Sequence, residues 1–194
     1  FDGLPNQFVL KCTHDSGGLV ICTDKAKFDK KSAKKKIEHC LKRKYYYTHR
    51  EWPYKDVEPR IIAEKYMENT FKGDLKDYKL MCFNGKVKAT FVCSDRFSNT
   101  GLKVTFYNTD WKRMPFERHY PASETEIDRP QTYKEMVTLA EKLSENIPFI
   151  RVDFYEINGR VYFGELTFFP GSGYEEFTPE EWDKTFGDWI ELCE

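Results

Sequence analysis

Phe149-Ile150-Arg151-Val152-Asp153-Phe154-Tyr155-Glu156-Ile157, Asn158-Gly159, then Arg160-Val161-Tyr162-Phe163-Gly164-Glu165-Leu166-Thr167, running on to Phe168-Phe169-Pro170-Gly171-Ser172-Gly173, is the stretch on which the reading turns. Two runs rich in β-branched and aromatic residues flank an Asn-Gly pair, a strong short-range hairpin signal. Charges sit inside both runs. A carboxylate in an apolar strand is costly unless a cation or hydrogen bonds compensate it, so Asp153 and Glu165 each require a partner. Side chains alternate along a strand, and directly opposed residues share a face. A two-residue Asn158-Gly159 turn would set Asp153 against Gly164 and send Glu165 to the other face. A three-residue loop with Gly159 in the left-handed bulge position would pair Glu156 with Arg160, placing Arg151, Asp153, Glu165 and Thr167 on one face. The three-residue loop is the expectation.

Two carboxylates on one face suit Mg²⁺, a hard cation that takes one or two carboxylates and completes its shell with phosphates and water. The same residues also fit a plain Arg151–Glu165 cross-strand pair with Asp153 at the rim. They fit a general acid/base pair of the glycosidase kind as well, although the adjacent Gly171-Ser172-Gly173 loop suits phosphate handling better.

Outward from this hairpin, the pattern is mixed. Residues 7–13 and 19–23 read as strands around the turn Asp15-Ser16-Gly17-Gly18. Lys30 to Tyr47 has helical spacing, with Ala33, Ile37, Cys40 and Leu41 on one stripe. A strand follows from Arg60 to Tyr66, then a polar hinge or linker from Met67 to Lys76. Residues 77–94 read as a hairpin around Asn84-Gly85, and 103–107 as a strand. Residues 108–130 are turn-rich, and Thr132 to Ser144 is helical. Thr178-Pro179-Glu180-Glu181 reads as an N-cap, a first-turn proline and an acidic first turn, opening a helix to about Leu192. The order predicts an α+β fold with antiparallel sheets, divided into lobes 1–68 and 69–194. GxGxxG and GxxxxGK[ST] are both absent, which weighs against the common dinucleotide and P-loop folds.

Composition narrows the partners. Lys and Arg number 31 against 32 Asp and Glu, so no global charge draws the chain to nucleic acid or membrane. With 40% hydrophobic and 16% aromatic residues, the chain can bury a real core. No apolar run is long enough to span a bilayer. The six cysteines form no CxxC pair and alternate with apolar residues, which predicts buried, reduced thiols in a cytoplasmic protein. The first residue is Phe1, the start does not read as a signal peptide, and an upstream region of the fold is expected.

Arg151-Val152-Asp153-Phe154 followed by Gly164-Glu165-Leu166-Thr167-Phe168-Phe169-Pro170-Gly171-Ser172-Gly173 resembles the metal-binding end of the ATP-grasp superfamily. The chain as a whole is similar to its TupA-like branch, associated with teichuronopeptide and other surface-polysaccharide biosynthesis. Leu4 to Gly18, Arg50-Glu51-Trp52-Pro53-Tyr54, Asp77-Tyr78-Lys79 and Ser94-Asp95-Arg96-Phe97 share in that likeness. The resemblance implies two α+β lobes with ATP between them. It implies that Lys11 contacts ATP phosphates, with His14, Ser16, Gly17 and Gly18 in a flexible loop over them. Glu64 and Met67 would meet adenine, Asp77 the ribose, and Lys79 a phosphate. Asp153, Glu165 and Thr167 would hold Mg²⁺, and Arg151 would face the transferred phosphoryl group. Asp95, Arg96, Gly171, Ser172 and Gly173 would lie on the acceptor side. The usual Glu-x-Asn is Glu165-Leu166-Thr167 here, which puts a second Mg²⁺ in doubt. The implied activity is an ATP-dependent carboxylate–amine ligation through an acyl phosphate, on a small molecule or saccharide precursor. The rivals are a phosphotransferase using the same site and a non-catalytic nucleotide-binding domain. A glycosyltransferase would need an Asp-x-Asp motif, which the sequence lacks.

Overall fold

A computed structural model describes residues 1–67, 75–95, 98–99 and 101–192. The chain divides into two compact units, Phe1–Met67 and Glu68–Glu194. All strand pairings in both are antiparallel. Arg96, Cys193 and residues 68–74 of the expected hinge lie outside the described residues.

The first unit is a three-stranded sheet in the order β2-β1-β3, built from β1 (Phe8–Cys12), β2 (Leu19–Cys22) and β3 (Ile61–Lys65). Phe8, Leu10 and Cys12 alternate toward α1 (Lys30–Lys42), where Ala33, Ile37 and Cys40 close the core. Asp29 caps α1, its Oδ1 accepting from the Lys31 and Ser32 amides at 3.0 Å, which satisfies amides a helix start leaves open. The expected helix to Tyr47 stops early. Arg43 turns to an extended conformation, and only a short α2 (Tyr46–His49) follows. Around it Tyr47 is 60% exposed, and the Arg50 guanidinium lies over Tyr46 and Tyr47.

The second unit is a five-stranded sheet, β6-β5-β4-β8-β9. Its strands are β4 (Asp77–Phe83), β5 (Lys86–Ser94), β6 (Lys103–Tyr107), β8 (Phe149–Ile157) and β9 (Arg160–Thr167). A two-stranded sheet joins β7 (Glu117–Arg118) to β10 (Phe177–Thr178). Strand β4 is central and buried along its whole length, which explains its unbroken apolar run at Leu80-Met81-Cys82-Phe83. Leu80 and Cys82 pack with Met136 and Ala140 of α3 (Tyr133–Leu143). Met81 and Phe83 pack on the opposite face with Phe186 of α4 (Glu181–Asp188). Thr178 is not an N-cap. It ends β10, and α4 begins three residues later, because pairing with Glu117 claims its backbone.

The decisive hairpin corrects one expectation. Ile157 pairs with Arg160, so the turn has two residues, with Asn158 and Gly159 left-handed at φ 53° and 71°. The three-residue loop does not form. The register shifts further along, between Val152 and Phe154: Phe154 pairs with Phe163, yet Val152 pairs with Leu166. Asp153 on β8 therefore meets both Gly164 and Glu165 on β9, a bulge in the long strand rather than in the turn. Beyond it, Arg151 opposes Thr167. Gly164 suits this bulge: a Cβ there would lie 3.0 Å from the Asp153 carbonyl oxygen and 3.3 Å from its Cβ.

Gly164→Val should therefore destabilise the protein by about 1–3 kcal/mol, since a branched side chain must displace backbone. A urea midpoint unchanged from wild type would show that the bulge is not close-packed.

Candidate active site

The α4-facing side of the large sheet changes character along its length. At one end, Phe83, Phe149 and Phe186 are packed together. At the other, the same alternation on β4 and β8 presents Lys79, Asp77, Arg151 and Asp153. Met81 pairs with Arg151, Lys79 with Asp153 and Asp77 with Tyr155. Register alone thus brings four charged side chains onto one buried patch, and the β9 bulge adds Glu165 and Thr167.

Asp153 is 1% exposed and holds the centre. Its Oδ1 accepts from Arg151 Nε at 2.7 Å, and its Oδ2 accepts from Arg151 Nη2 at 2.8 Å and from the Lys79 ammonium. The same Arg151 Nη2 donates to Glu165 Oε1 at 2.7 Å. Thr167 Oγ1 donates to that oxygen at 3.2 Å. Lys79 also lies 2.8 Å from Asp77 Oδ2. Arg151, Asp153, Glu165 and Thr167 are therefore one connected group on one face, and Asp153 is buried rather than at a rim.

Burial by itself would push Lys79 down, but Asp153 and then Asp77 outweigh it, holding the ammonium above its ordinary value. Arg151 behaves alike: burial disfavours its charge, and Asp153 and Glu165 restore it.

A divalent cation fits this donor set in a particular way. Two carboxylate oxygens, from Asp153 and Glu165, converge on one cationic nitrogen within 2.8 Å. Among the described residues, no group of three or more His, Cys, Asp or Glu side chains is gathered as a metal site. Two carboxylates and a hydroxyl suit Mg²⁺ that carries phosphates and water as its other ligands. They do not suit a metal caged by protein alone.

The first unit carries Lys11, His14, Ser16, Gly17, Gly18, Glu64 and Met67 of the residues singled out by sequence. Lys11 Nζ pairs with Glu64 Oε2 at 2.5 Å, each side chain 41% exposed. A cleft of about 470 Å³ is lined by Leu4, Phe8, Ala63, Glu64 and Tyr66, among others; Met67 follows directly. The loop after β1 is half anchored. His14 is 4% exposed and its Nε2 meets the Arg43 carbonyl at 2.9 Å. The Asp15 side chain is fully buried, 3.4 Å from Arg43 Nη1. A Cβ at Gly18 would fall 2.3 Å from Asp15 Oδ2 and 2.6 Å from Cys40 Sγ, so glycine is needed there. The His14 ring faces inward, whereas Ser16 and Gly17 are exposed and Gly18 is half-buried.

Of the residues expected on the acceptor side, Asp95 is left-handed at φ 57° and accepts from Ser94 Oγ at 2.9 Å. Gly171, Ser172 and Gly173 form a turn with three successive positive φ angles, 56°, 57° and 77°. Sequence reasoning missed Arg118. It is 7% exposed, with Phe91, Phe106 and Phe177 around its guanidinium and Glu175 Oε2 3.0 Å from Nε. A lone arginine in a turn-rich stretch gives no periodic signal. The flanking Phe116 was the nearest hint. Cys12, Cys22, Cys40 and Cys82 are buried and form no disulfide, as expected of reduced thiols, and Cys93 is buried as well.

The family model described as TupA-like ATPgrasp matches residues 1–191. No curated protein matches the chain. Among solved structures, the chain is similar to a D-alanine–D-alanine ligase from Bacillus anthracis complexed with ATP, at 19% identity and a TM-score of 0.45. That match covers 86% of this chain and 42% of the other, so this chain spans less than half the ligase's length. No described helix is long and apolar enough to cross a membrane.

Lys79→Met leaves Asp153 with one cationic partner and should cost about 3 kcal/mol, the lower end for a broken buried pair. The raised Lys79 value makes its stabilisation complete below the ordinary lysine range, about pH 10.4, and lost as pH rises through the raised value. The stability gap between wild type and Lys79→Met, from denaturant titrations, should narrow above that range. A gap independent of pH would contradict the pairing.

Proposed function

The chain belongs to the TupA-like ATP-grasp family, and we propose that it is an ATP- and Mg²⁺-dependent carboxylate–amine ligase acting on a saccharide or amino-acid precursor of a cell-surface polymer. The observation that carries this reading is the sharing of one Arg151 nitrogen by the Asp153 and Glu165 carboxylates. It is a pre-built seat for a cation with a guanidinium poised beside it.

In this reading a carboxylate oxygen of the acceptor attacks the γ-phosphorus of ATP, the bond to the bridging oxygen breaks, and ADP leaves. The resulting acyl phosphate is attacked at carbon by an amine. Inorganic phosphate departs, the nitrogen loses a proton and an amide remains. Mg²⁺, when bound through Asp153 and Glu165 with help from Thr167, would neutralise phosphate charge. Arg151 would move from the carboxylates to the transferred phosphoryl group, where its planar fork suits an anion. Lys79 would stay on Asp153 and Asp77, and its charge together with that of the bound cation would balance the three carboxylates once Arg151 moves. Lys11 and the main chain of Ser16, Gly17 and Gly18 would hold the phosphates, Glu64 and Met67 the adenine, and Asp77 the ribose. Asp95, Gly171, Ser172 and Gly173 would border the acceptor, as would Arg96, which lies outside the described residues. No Ser, Cys or His nucleophile is required. The surface-polymer assignment rests on the TupA-like likeness.

ADP release should be measured with amino acids and uronic acids supplied in pairs, with mass spectrometry of the product. The expected result is ADP release that needs both members of a pair, an amide product, and a loss of about a hundredfold or more in Asp153→Asn. A phosphorylated product without an amide would replace the ligase reading with a phosphotransferase. ATP turnover in none of the pairs would favour a non-catalytic domain.

A further inference from the structure

Arg118 is a buried cation whose surroundings are unusual for a structural ion pair. Its guanidinium carbon lies 4.8 Å from the Phe91 ring centre, 5.2 Å from Phe106 and 6.0 Å from Phe177. Three rings fix the plane of the fork and strip water from it. Its one carboxylate partner among the described residues is Glu175, with Oε2 3.0 Å from Nε. That contact lacks hydrogen-bond geometry: Nε and Oε2 are both buried and neither has a hydrogen bond among the described residues. Buried polar atoms are normally satisfied, so a close pair left unmade on both sides marks a position awaiting a better partner. The Arg118 charge is disfavoured first by burial and further by Arg151, with Glu175 opposing. Arg151 lies over the same Phe91 ring, its guanidinium carbon 5.8 Å from the centre. Two guanidinium groups thus share one aromatic ring, one of them inside the patch described above.

Glu175 has the character of a removable occupant. It follows the turn Gly171-Ser172-Gly173 and is partly exposed, its side chain 26% accessible against 7% for Arg118. It packs directly under that turn: a Cβ on Gly171 would come within 2.2 Å of Glu175 Cγ. The turn, the carboxylate and the arginine therefore form one unit in which displacing Glu175 and shifting the turn go together.

We propose that Arg118 is a substrate-binding residue that takes the carboxylate of the acceptor, and that Glu175 is an internal carboxylate covering it until the acceptor displaces it. This deepens the ligase reading and rests on it for the word acceptor; the carboxylate site itself is testable without turnover. A phosphate of ATP is the other anion the fork could take. The carboxylate is favoured because a carboxylate already occupies the position.

The test is the binding of glucuronate, a simple sugar carboxylate, followed by NMR shift titration on wild type, Glu175→Gln, Arg118→Lys and the double variant. Binding of a non-hydrolysable ATP analogue with Mg²⁺ is measured in parallel. Glu175→Gln removes the competing charge and should tighten glucuronate by roughly tenfold. Arg118→Lys keeps the charge but loses the planar fork, and should abolish that gain in the double variant. Nucleotide affinity should stay within about twofold throughout. Glucuronate affinity unmoved by Glu175→Gln would overturn the proposal and leave a structural ion pair. Nucleotide weakened by Arg118→Lys with glucuronate unaffected would overturn it in favour of a phosphate contact. Should Arg118→Lys fail to fold, Glu175→Gln alone still decides, because a purely structural pair predicts no tighter carboxylate. Failure of the ligase reading would show as absent amide product while the Glu175→Gln effect on glucuronate persists.

Discussion

The Asp153 carboxylate, buried between Arg151 and Lys79, is the constraint from which the rest of the second unit follows. A carboxylate at 1% exposure is costly to bury without paired donors. Arg151 supplies two from two positions along the same strand, and Lys79 supplies another from the neighbouring strand. Those positions are available only if β4 lies beside β8 with Lys79 opposite Asp153. The central place of β4, its full burial and the division of its side chains between α3 and α4 are all compatible with that one register. The β9 bulge at Gly164 then returns Glu165 to the Asp153 face, which a regular two-residue hairpin would deny it.

The same patch explains how a folded site can be stable and still ready to change. Lys79 and Arg151 face Asp77, Asp153 and Glu165, which leaves one negative charge in excess. Lys79 is buried and held by two carboxylates, so it is the fixed counterion. Arg151 reaches outward to Glu165, whose side chain is 59% exposed, and that contact is the weaker link in solvent. A divalent cation arriving with phosphates would replace Arg151 on the carboxylates and offer it an anion in exchange. The charge count favours such an exchange over simple addition of metal. The same logic of an internal group standing in for a ligand applies at Arg118 and Glu175.

Much of this was legible in the sequence, and the parts that were not have physical causes. The hairpin strands Phe149–Ile157 and Arg160–Thr167 are where the alternating apolar pattern put them. The shared face of Arg151, Asp153, Glu165 and Thr167 also followed from the cost of burying charge. The route to that face did not. Parity allowed either a longer turn or a bulge, and only the steric demand at Gly164 separates them. The helix read from the Ala33, Ile37, Cys40 and Leu41 stripe ends at Lys42 rather than Tyr47, because Arg43 is extended, a backbone choice that the stripe does not encode. The α4 start was misread because Thr178-Pro179 carries cap-like residues while its backbone pairs in β10. Arg118 was invisible because its three phenylalanine neighbours come from β5, β6 and β10 and converge only after folding. Lys11 remains a residue singled out by family likeness; locally it is a half-exposed lysine paired with Glu64.

The central claim is that Asp153 and Glu165 seat a cation only in company with nucleotide phosphates, because the protein alone offers too few ligands. Mn²⁺ in place of Mg²⁺ reports this directly by electron paramagnetic resonance, with and without a non-hydrolysable ATP analogue. The account requires weak Mn²⁺ binding to the protein alone, strong binding when the analogue is added, and about a 10–100-fold loss of the ternary signal in Glu165→Gln. Tight Mn²⁺ binding without nucleotide, or a ternary complex indifferent to Glu165→Gln, would contradict it.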